Sequence, residues 1–155
     1  MNRLTHRFAT IPDVYHVGRN LRQADLDEVR AKGKDPLDAL LYGYLHGDRC
    51  YSLVADGEAI AIYGTAKTGD SPKSASIWLL GTDKILEHRY EFLRISRDRV
   101  AEISKPYELV WNFVDSRNEL HIKWLRWLGF SFIRSTTQVS VDKTPFYEFA
   151  KLTHV

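Results

Sequence analysis

Apolar positions along this chain change their period several times, and each change marks an element. A short strand around Phe8 to Thr10 opens the pattern. Behind it, Val14, Val17 and Leu21 recur at helical spacing, with Pro12 where a first helical turn tolerates it. Asp25, Leu26, Glu28 and Val29 extend that helix or begin a second turn, ended near Gly33. Asp35-Pro36 restarts a helix whose apolar face is Leu37, Leu40, Leu41 and Tyr44, and Gly47 closes it. The hairpin Tyr51 to Gly64 is marked by Asp56-Gly57, the pair preferred where a type I′ turn needs positive φ twice.

After a polar loop, Lys67 to Ser74, the run Ile77-Trp78-Leu79-Leu80 lacks alternation and reads as a strand buried on both faces. Gly81-Thr82-Asp83 turns into a helix of about five turns through Leu86, Phe92, Leu93, Val100 and Ile103, which Pro106 forbids from continuing. Thr82-Asp83 suits its N-cap. Leu109 to Val114 is another buried strand, and Asn118 to Leu128 an amphipathic helix stopped by Gly129. Phe130 to Ile133, Thr137 to Val141 and Phe146 to Leu152 complete the chain as strands. This order excludes a helical bundle and an all-β sandwich; it predicts a mixed sheet covered by helices. The strands Ile77 to Leu80 and Leu109 to Val114 are expected to lie side by side, parallel, and to diverge at their C-terminal ends.

Composition narrows the chemistry. With 155 residues, 44% hydrophobic and 27% charged, the chain suits one domain spanning 1–155. A net charge of +2 gives no reason to expect nucleic acid or a membrane as partner. Cys50 is the one cysteine, which excludes an internal disulfide, and the scattered histidines predict no metal site. Met1 is followed by polar residues rather than an apolar signal core, so a cytosolic protein is expected.

The segment Asn118 to Phe130, with its asparagine at the start and Gly129-Phe130 behind it, resembles the last conserved helix of the GNAT acyl-CoA N-acyltransferases. Three further stretches resemble a group of small phage proteins known as acetyltransferases or internal virion proteins. They are Asn20 to Asp25 with Glu28, Trp78 to Asp83, and Pro145 to Phe149. The resemblance implies a centrally splayed sheet flanked by helices. It implies acetyl-CoA or another acyl-CoA, with the pantetheine arm on exposed strand backbone and the pyrophosphate on amides at the following helix start. Trp78, Leu79, Leu80, Gly81, Thr82, Lys84 and Asn118 would form that site. The family's loop carries Arg or Gln, two residues, Gly, one residue, then Gly or Ala; here Leu80-Gly81-Thr82-Asp83-Lys84-Ile85 stands in its place. The tyrosine that often protonates the leaving thiolate falls at Leu125, with His121 the nearest titratable substitute on that helix.

By the same resemblance Asp115 and His121 are the catalytic candidates, and Asp25 and Glu28 the binders of an amine acceptor. Each has a structural alternative: a capped, partly buried histidine, helix caps at Asp115 and Asn118, and an acidic pair on a solvated helix. Arg94, Arg97 and Arg99 would meet an adenosine phosphate or form an exposed basic face. Trp78, Trp111 and Trp124 are core by spacing, whereas Trp127 falls on the outer side. Two functions stay open. One is acyl transfer to a small-molecule or protein amine in the host cytoplasm. The other is a non-catalytic phage protein, packaged in the virion or bound to a host protein.

Overall fold

The computed structural model describes residues 3–69 and 73–154. Strand β1 (Leu4–Phe8) leads into helices α1 (Ile11–Arg19), α2 (Gln23–Ala31) and α3 (Pro36–His46). Strands β2 (Arg49–Ala55), β3 (Glu58–Lys67) and β4 (Ser74–Gly81) follow, then α4 (Lys84–Glu87) and α5 (Arg89–Ser104). Strand β5 (Leu109–Asp115), helix α6 (Glu119–Trp127) and strands β6 (Ser131–Thr136) and β7 (Phe146–Leu152) end the chain. Among the described residues these strands form one seven-stranded sheet in the order β1-β2-β3-β4-β5-β7-β6. Every neighbouring pair is antiparallel except β4 and β5.

Local chemistry sets the boundaries. Thr10 and Asp13 form a reciprocal capping box at the start of α1, and Asp35 caps α3 by accepting from the amides of Leu37 and Asp38. Asp56 (φ 51°) and Gly57 (φ 79°) make the tight turn between β2 and β3. One core cluster, including Leu53, Ile77, Phe92, Val110 and Leu125, lies under α5 and α6. The second, including Val14, Val17, Leu40, Ile62 and Leu80, lies under α1 to α3.

Five sequence expectations need correction. The first strand ends at Phe8, because Thr10 is spent on capping α1. Thr137 to Val141 is not a strand: Val141 N–H donates to the Ala31 carbonyl at the end of α2 (2.8 Å), so the segment is satisfied outside the sheet. The helix after Gly81 is interrupted at His88. Its first turn closes i→i+3 bonds from Ile85 to Thr82 and from Leu86 to Asp83, a tight geometry that does not run on into α5. Trp78, Trp111 and Trp124 are partly rather than fully buried, whereas Trp127 is 39% exposed, as its place on the outer side of α6 suggests. The expected loop Lys67 to Ser74 is taken up at its ends by β3 and β4, and residues 70–72 lie outside the described residues. Among the described residues, no helix is long and apolar enough to cross a membrane.

Candidate functional site

Strands β4 and β5 pair over only three rungs, Ser74 with Leu109, Ala75 with Val110 and Ser76 with Trp111. They then part, as expected from the sequence. The carboxamide of Asn112 sits where they separate, donating to the Ile77 carbonyl (3.0 Å) and accepting from Phe113 N–H (2.8 Å). It replaces the missing rung with a side chain.

Peptide groups alternate sides along a strand, so those of Ile77, Leu79 and Gly81 all face β5. Ile77 is met by Asn112. Gly81 N–H donates to Asp25 Oδ2 (3.0 Å), and its carbonyl accepts from Arg22 N–H (2.8 Å). Leu79 lies between them, opposite no strand. A cavity of about 320 Å³ fills this opening and passes through the sheet. Leu79, Phe92 and Trp124 line it toward α5 and α6, and Glu28, Lys32 and Trp78 line it toward α2 and α3.

A buried polar network closes the C-terminal end of the opening. Asp25, fully buried, accepts from Arg22 and from Asn118 Nδ2, each at 3.0 Å, besides the Gly81 amide. Glu28 Oε1 accepts from Asp115 N–H (2.8 Å). The Asp115 carboxylate in turn holds Arg117, through the guanidinium (2.6 and 3.0 Å) and the backbone N–H (2.9 Å). Burial raises the Glu28 carboxyl to about 7, against a smaller opposing pull from Lys32. Burial also lowers the Lys32 ammonium, and it pushes His121 down to about 4. His121 is therefore neutral at pH 7, and its ring lies tilted against Trp124 with centroids 5.2 Å apart.

The loop after β4 is filled by the chain itself. Thr82 N–H donates to the Ile60 carbonyl (2.9 Å), and the Thr82 hydroxyl accepts from Lys84 N–H (3.3 Å), so Thr82 rather than Asp83 caps α4. A Cβ at Gly81 would meet Ile85 Cδ1 at 2.1 Å, so this glycine makes room for Ile85. The exposed Lys84 turns away to pair with Glu58 (3.2 Å).

The candidates read from sequence are thus sorted. Trp78, Leu79, Leu80, Glu28 and His121 line the cavity; Gly81, Asp25, Asn118 and Asp115 are bound into the network beside it; Lys84 points elsewhere. Asp25 and Glu28 are buried, not an exposed acidic pair, and Asn118 makes no side-chain cap to α6. Of the basic trio on α5, Arg99 alone lines the cavity, bonded through Nε to Tyr63 Oη (2.9 Å); Arg97 lies over the Trp127 ring at 3.9 Å. Asn112 and Lys32 escaped the sequence reading, and Arg22, inside the stretch Asn20 to Asp25, has no role assigned there. An asparagine inside an apolar strand run is the signal that could have pointed to Asn112.

Solved structures sharing this fold align along nearly the whole chain. Ard1 from Thermoplasma volcanium matches at 15% identity and TM-score 0.76, over 98% of this chain and 99% of its own. Spermidine N-acetyltransferase from Vibrio cholerae, solved with CoA and spermine, matches at 15% identity and TM-score 0.73, over 97% and 96%. A GNAT-family acetyltransferase from Bacillus anthracis gives 11% identity and TM-score 0.72, over 99% and 96%. No curated protein matches the sequence. Residues 49–137, more than half of the chain, match a phage family. With the opened sheet of a GNAT acetyltransferase, the chain belongs to the family described as Bacteriophage T7, probable scaffold protein Gp13.

Proposed function

We propose that this protein takes an acyl thioester, acetyl-CoA or another acyl-CoA, into the gap between β4 and β5 and passes the acyl group to an amine. The observation that carries this reading is the unpaired rung at Leu79, opening onto a cavity that Glu28 lines. A pantetheine arm has amide groups of its own and fits such a rung, where peptide groups otherwise lack partners. The diphosphate of CoA does not fit in the same way. The Gly81 amide is held by Asp25, Ile85 occupies the space beside Gly81, and Asp83 adds negative charge. Affinity then resides mostly in the arm.

The thioester supplies an activated carbonyl; this chain's residues supply the rest. Glu28, near 7, is matched to neutral pH as a base that accepts the proton of the incoming amine. Asp115 is held by Arg117. His121, pushed down to about 4, is a much weaker base than Glu28 and holds no extra proton at pH 7 to give to the leaving thiolate. The proton that Glu28 takes from the amine is therefore the one available to the released thiol.

A second reading, a non-catalytic virion or host-binding protein, draws support from one feature. The chain's own groups occupy Gly81, as they would in a cleft that no longer takes nucleotide. Calorimetry with acetyl-CoA and with S-acetylpantetheine, which lacks the nucleotide, separates the two. Acyl transfer requires heat from both, with affinities within about tenfold, and thiol release that depends on added amine. No heat from either at millimolar concentration would leave the assembly role.

A further inference from the structure

The α2–α3 side of the cavity carries an unusual arrangement of charge. Glu28 is the one carboxylate lining it among the described residues, while Lys32 and Lys34 line the same wall. Glu28 and Lys32 stand four residues apart, in the order that usually pairs a carboxylate with an ammonium along a helix. Here they do not pair. Glu28 is turned to the Asp115 amide, and the Lys32 ammonium lies 5.5 Å from the centre of the Phe146 ring, with no ion pair among the described residues. The other carboxylates nearby are committed, Asp25 to Arg22 and Asp115 to Arg117. The wall therefore holds one carboxyl and one ammonium that feel each other's charge but make no ion pair, both lining the cavity, with Lys34 adding positive charge.

We infer that the acceptor is an amine that also bears a carboxylate, an α-amino acid being the smallest case. Its amine meets Glu28 and its carboxylate meets Lys32. The inference rests on the acyl-transfer reading for the word acceptor, but its binding chemistry stands on the wall alone. A polyamine would bring several positive charges against Lys32 and Lys34, with a single carboxyl to offset them. A zwitterion satisfies both poles, and its charged hydrogen bonds form out of bulk water, where they are strong.

Ligand-observed NMR titration without any thioester tests this directly. The probes are alanine, alanine amide (the same amine with its carboxylate capped) and spermidine. Alanine is expected to bind at least tenfold more tightly than either of the others. In Lys32→Met, which keeps the apolar stem, that preference should vanish; in Lys32→Glu it should invert toward spermidine. Far-UV circular dichroism and melting curves establish that the variants fold. Equal or tighter binding of alanine amide or spermidine to the unaltered protein would overturn the inference, as would a preference that survives Lys32→Met. A protein that releases no thiol yet keeps the alanine preference would refute acyl transfer and leave the amino-carboxylate site standing.

Discussion

Replacing Glu28 with glutamine should make the protein more stable while removing its proposed base. Below pH 4.5 the carboxyl is protonated in both folded and unfolded chains, so it contributes no pH dependence. Between 4.5 and about 7 the unfolded chain loses this proton and the folded chain keeps it. The folded state then binds more protons, and stability falls as pH rises. Carrying one carboxyl from 4.5 to about 7 amounts to about 3 kcal/mol, all of it lost by pH 8. Glutamine has no charge to bury, and its carbonyl can still accept from Asp115 N–H. Urea denaturation followed by tryptophan fluorescence should therefore show Glu28→Gln within about 1 kcal/mol of wild type at pH 5 and about 3 kcal/mol more stable at pH 8. The same change should lower amine-dependent thiol release by about 10²- to 10⁴-fold. A stability difference that is flat from pH 5 to 8, or a loss at pH 8, would show that Glu28 is ionised in the fold and refute the argument.

Gly81→Ala should cost about 1–3 kcal/mol by forcing a methyl into Ile85, and Ile85→Val, which removes the clashing Cδ1, should recover most of it in the melting temperature. If the glycine instead serves a phosphate, the second change will restore nothing to acetyl-CoA affinity. Trp124→Ala is expected to cost about 3 kcal/mol or more, because its ring packs against Phe92 at 5.1 Å. Trp127→Ala should cost about 1 kcal/mol or less; equal losses in urea would contradict the placement of these rings. Asn112→Ala should cost about 1–2 kcal/mol and speed hydrogen exchange at the Phe113 amide, which would lose its acceptor. Unchanged exchange would mean that the carboxamide does not hold the strands apart.

Much of this fold is legible because short-range chemistry decides it. Asp56-Gly57 forces a turn, Gly129 at φ 92° stops α6, and the apolar runs at Ile77 and Leu109, the second interrupted only by Asn112, have to be interior strands. The divergence of those two strands also follows from the helix between them and the resemblance of the segments around them. The site is less legible, since the behaviour of a carboxyl depends on donors that sequence proximity does not reveal. Asp25 and Glu28 have the spacing of a solvated helix face, yet their partners Gly81, Asn118 and Asp115 lie 56, 93 and 87 residues away. Burial follows from those partners, not from the helix, and burial is what lifts Glu28 toward 7. Thr137 to Val141 shows the converse, an apparent strand whose backbone is claimed by Ala31 across the fold. Asp25 also ties the two functional readings together. A residue expected to hold an amine instead holds the Gly81 amide, at the start of the loop where the GNAT resemblance implies cofactor phosphates. That single contact weakens the case for nucleotide without touching the free rung at Leu79. The thioester arm and the nucleotide are therefore separate questions in this protein, and a nucleotide-free thioester is the ligand that can tell an altered enzyme from a closed scaffold.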